Sequence, residues 1–456
     1  MMFKKVEIWI LYLTVILGIL FAVGFGFLVR QELVGGTKLG WISKTALTFA
    51  EIPVNIKKIL NGPTSEFKLE DRFPSIDGFD GIPNSKESYL LLSRYDGNLR
   101  QGVIELVDLT NFEILHTWNP DIDMFNKILE PKEELKYQVR DRSDNRFVLE
   151  HPKLMSDGGL LFHNASPLRK IDACSKLIFQ ITHDISHHSI EIDVENNIWV
   201  PTHIYPSKLP IKKIGSNMIE DGGYYDDGIL KLSSDGEVLF EKSVSEIFIE
   251  NDLEYLLFSV GDLNNFTVDP IHLNDIQPVN YDHTYWKKGD IFLSLRHQSM
   301  VILYRPSTNK IIWKTTKNIF HQHDVDIIDD HRIAIFNNNS KDFFSGDTVD
   351  GYNEVIIYDF KNDKYSSYMF NSMVEHDIRS TTGGRSEIIS NGDLFLEEHN
   401  FGRTLYFNSD GSLRWTHINR AKDGNVYMPG WSRISYTDED VNIIKNFLSN
   451  RGDCNE

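Results

Sequence analysis

The chain has 456 residues, a formal net charge of -19 and 25% charged residues. This composition is ordinary for a globular protein, and the length is sufficient for one large closed domain. The excess of negative charge excludes a nucleic-acid binder, because phosphates require a basic surface, and an anionic ligand would need a local cluster of cations.

The first predicted element is a helix that spans a membrane. Residues 8–29 carry no charge, and Arg30 ends this apolar run. At ~1.5 Å rise per residue, a helix of this length crosses a hydrocarbon core, so we interpret residues 1–30 as an uncleaved signal anchor. Lys4 and Lys5 favour a cytoplasmic amino terminus, which predicts that the rest of the chain lies outside the cytoplasm.

Residues 31–77 show no strand rhythm and are predicted to be a tether that is partly helical. Residues 43–60 have the polar and apolar alternation of a short amphipathic helix at a membrane surface. We assign no chemistry to this segment.

A repeated strand pattern begins near Gly78 and predicts an all-β fold, a six-bladed β-propeller over residues 78–436. Six units of three short apolar strands start near residues 88, 158, 198, 291, 333 and 394. Ser-Asp-Gly turns at residues 234–236 and 409–411 are typical of hairpins. Residues 430–436 are predicted to close the ring against the first blade, and residues 437–456 to form a terminal helix and tail.

The two cysteines, Cys174 and Cys454, predict no disulfide framework. Cys174 is expected to be a small packed side chain, and no Cys-x-x-Cys pair is present for zinc or redox chemistry. The cysteines therefore do not indicate the cellular compartment of the protein.

A polar residue, usually histidine, recurs just before a strand in successive repeats. This slot holds His151, His188, His272, His323 and Arg385. His151 is in register but is followed by a proline, so its place in a pocket stays open. A single histidine in a strand is more often a hydrogen-bonded structural residue than a ligand. Equivalent positions of propeller blades converge on one axis, however, so the repeated slot predicts a shared pocket.

One further position, Arg296, belongs to this predicted pocket, and only His188 of the His187–His188 pair can line the axis. Arg296 ends a strand between the slots of His272 and His323, where the chain turns back toward the axis. His187 points away from His188 if the segment is extended, since side chains alternate along a strand. Imidazoles together with arginines suit an anionic substrate, which histidine would attack as a nucleophile or protonate.

Two alternatives remain open from the residues alone. The histidines could hold zinc, copper or iron for a metal-dependent hydrolase, although Arg296 and Arg385 would place fixed positive charge beside that cation. The propeller could also bind a ligand or partner without catalysis, because the fold alone does not decide function.

Four motifs resemble the PAPS-independent arylsulfotransferase (aryl-sulfate sulfotransferase) family, six-bladed propeller enzymes of the bacterial periplasm. They are the His187–His188 pair, His272-Leu-Asn274, the segment from Ser294 through Arg296 to Ser299, and Gln322-His323-Asp324. The chain departs from the family pattern at Ser189 and Asp275. A linker over residues 276–288 separates Arg296 from His272 further than the family pattern predicts.

The resemblance implies a two-step sulfuryl transfer without nucleotide, metal or other cofactor. His323 would attack the sulfur of an aryl sulfate, release a phenol and pass the group to a phenolic acceptor. By the same resemblance, His272, His188 and Arg296 would assist catalysis. Asn274 would bind the sulfuryl oxygens with them, and the catalytic domain would be periplasmic on a single membrane helix. His187 and Arg385 are predicted to bind substrate from their positions at or next to the repeated slots and not from the resemblance. The expected partners are aryl sulfates, phenols and the membrane, with no nucleic acid.

Overall fold

The computed structural model describes residues 7–33, 39–61, 66–129, 142–182, 184–209, 224–258, 268–343, 346–452 and 454. The chain divides into a first compact unit of residues 1–65 and a second that begins at Glu66 and holds nearly all of the remainder. Lys4 and Lys5, on which the predicted orientation of the anchor depends, lie outside the described residues.

The first unit contains two helices, Ile8–Leu33 and Gly40–Asn61. Residues 8–32 are long and apolar enough to cross a membrane, which confirms the predicted apolar helix as a candidate span. The second helix lies in the segment predicted as a partly helical tether, and Pro53 is inside it.

The second unit is a six-bladed β-propeller, as predicted. Each blade is an antiparallel sheet of four or five strands, and the blades are numbered here in chain order. Blade 1 contains Tyr89–Asp96, Gln101–Asp108, Glu113–Trp118 and, as its innermost strand, Arg433–Ser435. Blade 2 contains Glu150–Leu154, Leu160–His163, Arg169–Ile171 and Leu177–Gln180. Blade 3 contains Ile185–Ser186 and Glu191–Ile192, both paired with Ile198–His203, then Asp227–Leu232 and Val238–Ser243.

The last three blades follow the same plan. Blade 4 contains Leu273–Pro278, Ile291–Leu295, Met300–Arg305 and Lys310–Thr315. Blade 5 contains Asp324–Ile327, Arg332–Asn337, Glu354–Asp359 and Lys364–Tyr368. Blade 6 contains Arg385–Ile388, Leu394–Glu398, Arg403–Phe407, Leu413–Ile418 and, at its outer edge, Gly78–Gly81.

A few elements lie outside the blades. Two small antiparallel pairs join Ser340–Phe343 to Gly346–Val349 and Lys68–Leu69 to Val426–Tyr427. Short helices follow strands at Ile122–Lys127, Val244–Glu250, Tyr255–Phe258 and Phe370–Glu375, and a longer one forms at Asp438–Asn450.

The ring is closed by strands from both ends of the propeller sequence. Arg433–Ser435 pairs with residues 89–91 of blade 1, which confirms the predicted closure. Gly78–Gly81 pairs with residues 415–418 of blade 6, a role that the strand pattern did not predict. With these two added strands, blade 1 has four strands and blade 6 has five.

Apolar side chains fill the space between neighbouring blades. Leu161 and Leu168 of blade 2 pack on Val200 and Leu230 of blade 3, and all four are fully buried. Burial of each such side chain stabilises the fold by about 1.5–3 kcal/mol. These layers hold the innermost strands in fixed positions around the axis.

A ring of hydrogen bonds joins the innermost strands of consecutive blades. In each of these hydrogen bonds, a side chain near the start of one innermost strand accepts a hydrogen bond from a backbone N–H of the innermost strand in the next blade. The pairs are His151 Nδ1 with Ile190, Ser189 Oγ with Ile276, Asp275 Oδ2 with Val325 and Asp324 Oδ2 with Ser386, at 3.0–3.1 Å. Ser189 and Asp275, the departures from the family pattern, are therefore structural positions in this ring.

The carboxyl-terminal helix is fixed to the propeller by packing and by a disulfide. Val441, Ile444 and Phe447 of Asp438–Asn450 are buried against blades 1 and 2. Beyond the helix, Cys454 is bonded to Cys174, at a sequence separation of 280 residues. The prediction of no disulfide and of a merely packed Cys174 was therefore wrong, because the helix carries the tail back across the blades.

Candidate active site

A cavity of about 300 Å³ lies where the innermost strands begin. All six blades contribute to its wall, which places it on the propeller axis. The lining residues are Glu150, His188, His272, Arg296, His323, Thr382, Gly383, His399 and Trp431. Four of the sequence-predicted residues, His188, His272, Arg296 and His323, therefore meet around one space.

His323 precedes the innermost strand of blade 5 and has three hydrogen-bond partners, which are Asn338, Gly383 and the His321 carbonyl, 3.2 Å from Nδ1. Its Nδ1 lies 2.6 Å from Oδ1 of Asn338, whose own amide group donates to the carbonyl oxygens of Ser380 and Gly383. Asn338 Oδ1 is thus an acceptor, so the ring proton is on Nδ1 and Nε2 carries the lone pair. Nε2 accepts the Gly383 N–H at 2.9 Å.

The protonation of His323 follows from its surroundings. Burial and then the neighbouring Arg296 hold the pKa of His323 well below its usual range. The imidazole is therefore neutral at pH 7, as a nitrogen nucleophile must be.

His188 lies opposite His323 across the cavity, with ring centroids 6.3 Å apart. Its Nδ1 is 2.9 Å from Nδ1 of His187, which is buried behind it. Burial and then the surrounding histidines, first His187, keep the pKa of His188 well below its usual range. His188 is one of the cavity residues with a positive φ, an uncommon conformation that turns its ring toward the axis.

His272 and Arg296 are joined through their backbones. The Arg296 N–H donates to the His272 carbonyl at 3.0 Å, since residues 273–295 form a strand, a loop and a second strand that return to the same point. The linker over residues 276–288 therefore does not separate the two side chains.

Carboxylate and imidazole partners orient these two side chains. His272 Nδ1 lies 2.6 Å from Oδ2 of Asp269, and Arg296 Nη1 donates to His297 Nε2 at 2.7 Å. A carboxylate behind an imidazole stabilises the imidazolium that forms during proton transfer. His272, with Asp269 behind it, can therefore act as a general acid and base at the cavity wall.

Glu150 is a cavity residue that the sequence analysis missed. Burial raises the pKa of its carboxyl to about 7, although His399 and Arg142 oppose this shift. His163 lies 3.8 Å away on the neighbouring strand of blade 2. Glu150 is one position before the slot residue His151, and this offset of a single residue was the only available signal.

Trp431 and His399 complete the wall and were also missed. Trp431 precedes the closing strand of blade 1, in a place comparable to the histidine slots, and also has a positive φ. Its backbone N–H donates to Glu397 Oε1 at 2.8 Å. Its ring centroid is 5.7 Å from that of His188 and 6.1 Å from that of His323, so it supplies a flat apolar surface.

Three predicted residues lie outside the cavity wall. Arg385 is buried among the hydrogen bonds that join the innermost strands, with Nη1 2.8 Å from His151 Nε2. Asn274 is buried and donates to the Gln322 carbonyl. His187 lies behind His188. A side chain one position further along a strand points to the opposite face, which explains why His151 and Arg385 do not share the pocket.

Three groups among the described residues have the composition and spacing of metal ligands. They are His187, His203 and Asp227; Asp269, His272 and His297; and Asp329, Asp330 and His331. The second includes a cavity residue, and the third lies in an exposed turn.

Comparison with known proteins identifies one family. The family model described as Arylsulfotransferase (ASST) matches residues 151–420, which include every cavity residue except Glu150 and Trp431. No curated protein matches the sequence.

Solved structures of low sequence identity are similar to the chain. A protein of unknown function from Bacteroides caccae is 10% identical, with a TM-score of 0.45 over 77% of this chain and 100% of that one. The Neurospora crassa Pan2 WD40 domain is 11% identical, with a TM-score of 0.40 over 79% and 100%. Kuenenia stuttgartiensis hydrazine synthase is 10% identical, with a TM-score of 0.37 over 68% and 71%.

Proposed function

The chain belongs to the arylsulfotransferase family, and from this premise we propose that it moves a sulfuryl group from an aryl sulfate to a phenol through a sulfohistidine at His323. The observation that carries the proposal is the state of His323. Its Nδ1 proton is held by Asn338, so Nε2 carries the lone pair. In the free protein that lone pair accepts the Gly383 N–H, and this hydrogen bond must break for Nε2 to attack a sulfuryl group bound beside Arg296, His188 and His272.

In the first step, Nε2 of His323 attacks sulfur in line with the bridging oxygen. The N–S bond forms as the S–O bond to the aromatic ring breaks. The leaving phenolate takes a proton from His272, whose ring is oriented by Asp269. Arg296 and His188 donate to the sulfuryl oxygens in the planar transition state.

In the second step, the oxygen of an acceptor phenol attacks sulfur and the N–S bond breaks. Glu150 accepts the phenol proton, since a carboxyl with a pKa of about 7 can exchange protons near neutral pH. Trp431 offers a ring face against which an aromatic acceptor can stack.

We also propose that the propeller lies outside the cytoplasm, in the periplasm, on a single amino-terminal helix. The disulfide between Cys174 and Cys454 supports an oxidising compartment. The apolar helix over residues 8–32 supports attachment to the membrane.

The test uses the purified full chain in detergent, 4-nitrophenyl sulfate as donor and phenol as acceptor, with no nucleotide. We expect nitrophenol release that depends on phenol, and an intact-mass increase of one sulfuryl group when phenol is omitted. His323→Ala should lose both signals. His417→Ala is the matched control, because His417 is also a buried histidine but lies in the fourth strand of blade 6, against Phe79.

Three results would contradict the proposal. One is transfer at the wild-type rate by His323→Ala, and another is the same mass adduct in that variant. The third is ligand binding without any turnover, which would favour a non-catalytic propeller.

A further inference from the structure

We propose that His187, His203 and Asp227 form a binding site for a divalent transition metal, preferably zinc, which fixes the orientation of His188 from outside the substrate cavity. The site goes beyond the proposed function, for which no metal was expected. Its effect on His188 rests on that function, whereas metal binding itself does not.

The three side chains come from adjacent strands of one blade. His203 and Asp227 are directly opposed partners in the pairing of Ile198–His203 with Asp227–Leu232. His187 is bound to the strand Ile198–His203 through its backbone N–H, which donates to the Pro201 carbonyl at 3.1 Å. Ligands on neighbouring strands are held rigidly, as a metal site requires.

The distances between the ligand atoms fit a tetrahedral ion. Asp227 Oδ1 lies 3.4 Å from His187 Nε2 and 3.4 Å from His203 Nε2. Zinc bonds to nitrogen and oxygen of about 2.0–2.1 Å place two tetrahedral ligand atoms about 3.3–3.4 Å apart. A direct N–H···O hydrogen bond would bring them to about 2.7–3.2 Å.

Two of these atoms are buried and aimed at the same point. His187 Nε2 and Asp227 Oδ1 have no hydrogen-bond partner among the described residues, and their side chains are at least nine-tenths buried. Unpaired polar atoms in such a position cost free energy unless another group binds them. A cation that accepts both lone pairs removes this cost.

The remaining features of a metal site are also present. Asp227 Oδ2 accepts the Leu273 N–H at 3.0 Å, which orients the carboxylate. The His203 side chain is 27% exposed and provides an entry path and an open fourth position for water. Two imidazoles and one carboxylate are a ligand set that zinc accepts.

A metal on His187 Nε2 determines which nitrogen of His188 carries the proton. The His187 proton must then be on Nδ1, where it donates to His188 Nδ1 at 2.9 Å. The His188 proton is therefore on Nε2, the ring nitrogen left for the cavity. In this tautomer His188 can donate to a sulfuryl oxygen. With no metal and with His187 Nε2–H directed at Asp227, His188 would present a lone pair instead.

The experiment measures metal content and transfer separately. The purified full chain is stripped with a chelator, dialysed into metal-free buffer and titrated with Zn²⁺. Elemental analysis then gives the bound zinc, and Co²⁺ replaces zinc to give the visible absorption of a tetrahedral site. We expect about one ion per chain, and His203→Gln to weaken binding at least about 100-fold. Asp227→Asn is a second ligand variant, and the thermal melt of each variant checks its fold.

Two matched controls address the other candidate groups. His297→Gln alters the group at Asp269, and His331→Gln alters the exposed group, so both should retain the ion. A wild-type chain that binds no zinc, or a His203→Gln chain that binds it as tightly as wild type, would overturn the proposal. Loss of the ion in His297→Gln alone would also overturn it.

The transfer assay distinguishes failure of this inference from failure of the proposed function. Stripped protein should have a donor KM about tenfold higher than the zinc-loaded protein, with recovery on zinc addition. Zinc binding without sulfate transfer contradicts only the proposed function. Transfer that is indifferent to zinc in a chain that binds it refutes the orientation of His188 by the metal.

Discussion

Replacement of Asn338 by leucine tests whether the tautomer of His323 is set by one buried amide. Leucine has a similar size but no acceptor, so the Nδ1–H bond of 2.6 Å is lost and the buried donor is left with only the longer contact to the His321 carbonyl, at 3.2 Å. This loss costs about 1–3 kcal/mol. At about 1.4 kcal/mol per decade, donor kcat/KM should fall about 5- to 150-fold. The donor KM should change little, because Asn338 does not line the cavity.

Asn338→Asp separates the acceptor from the rest of the side chain. Aspartate retains an oxygen for Nδ1–H, so more activity should remain than with leucine. Its negative charge favours the protonated imidazole and raises the pKa of His323, so the acid limb of the pH–rate profile should move to higher pH. The assay is nitrophenol release from 4-nitrophenyl sulfate over a pH series.

Asn353→Leu is the matched control. Asn353 is equally buried and, like Asn338, donates to the Ser380 carbonyl, but makes no bond to His323. If Asn353→Leu lost as much activity as Asn338→Leu, or if Asn338→Leu turned over at the wild-type rate, the role assigned to Asn338 would be refuted.

Three further changes give distinct outcomes. Arg296→Lys should lower donor kcat/KM about 100-fold, because an ammonium cannot reproduce the planar fork of a guanidinium, as steady-state kinetics will show. Glu150→Gln should abolish the rise of phenol-dependent turnover as the pH passes about 7, where the wild-type carboxyl ionises, and leave the initial nitrophenol burst intact. Cys454→Ser should lower the free energy of unfolding by about 2–5 kcal/mol, and reductant should bring wild type to the same melting temperature. An unchanged kcat/KM, pH profile or melting temperature would contradict the respective prediction.

The blades and the convergence of four side chains could be predicted because both depend on repetition. An apolar strand preceded by a polar residue recurs at similar spacing, and closure of the ring brings the recurring positions together. His188, His272 and His323 therefore meet although they are far apart in the chain.

Side-chain direction could not be predicted from the same pattern. His151 and Arg385 occupy the slot by sequence alignment, yet they lie one position past the cavity and enter the buried ring. Because direction reverses at every residue of a strand, an error of one position exchanges a pocket residue for a structural one. Glu150 was missed for the same reason.

Contacts between segments that are distant in the chain could not be predicted from the sequence pattern. The bond between Cys174 and Cys454 depends on where the terminal helix ends, and Gly78–Gly81 gives no indication that it belongs to the last blade. Such pairings are set by tertiary geometry, which neither periodicity nor composition encodes.

The closure of the ring has a consequence for biosynthesis. Blade 1 begins with Tyr89, but its innermost strand is Arg433–Ser435, and Trp431 of the cavity wall directly precedes that strand. Synthesis must therefore deliver almost the whole polypeptide before the first blade is complete. A nascent or prematurely terminated product would present an unfinished wall and an open sheet, so competence for chemistry arises only at the last stage of maturation.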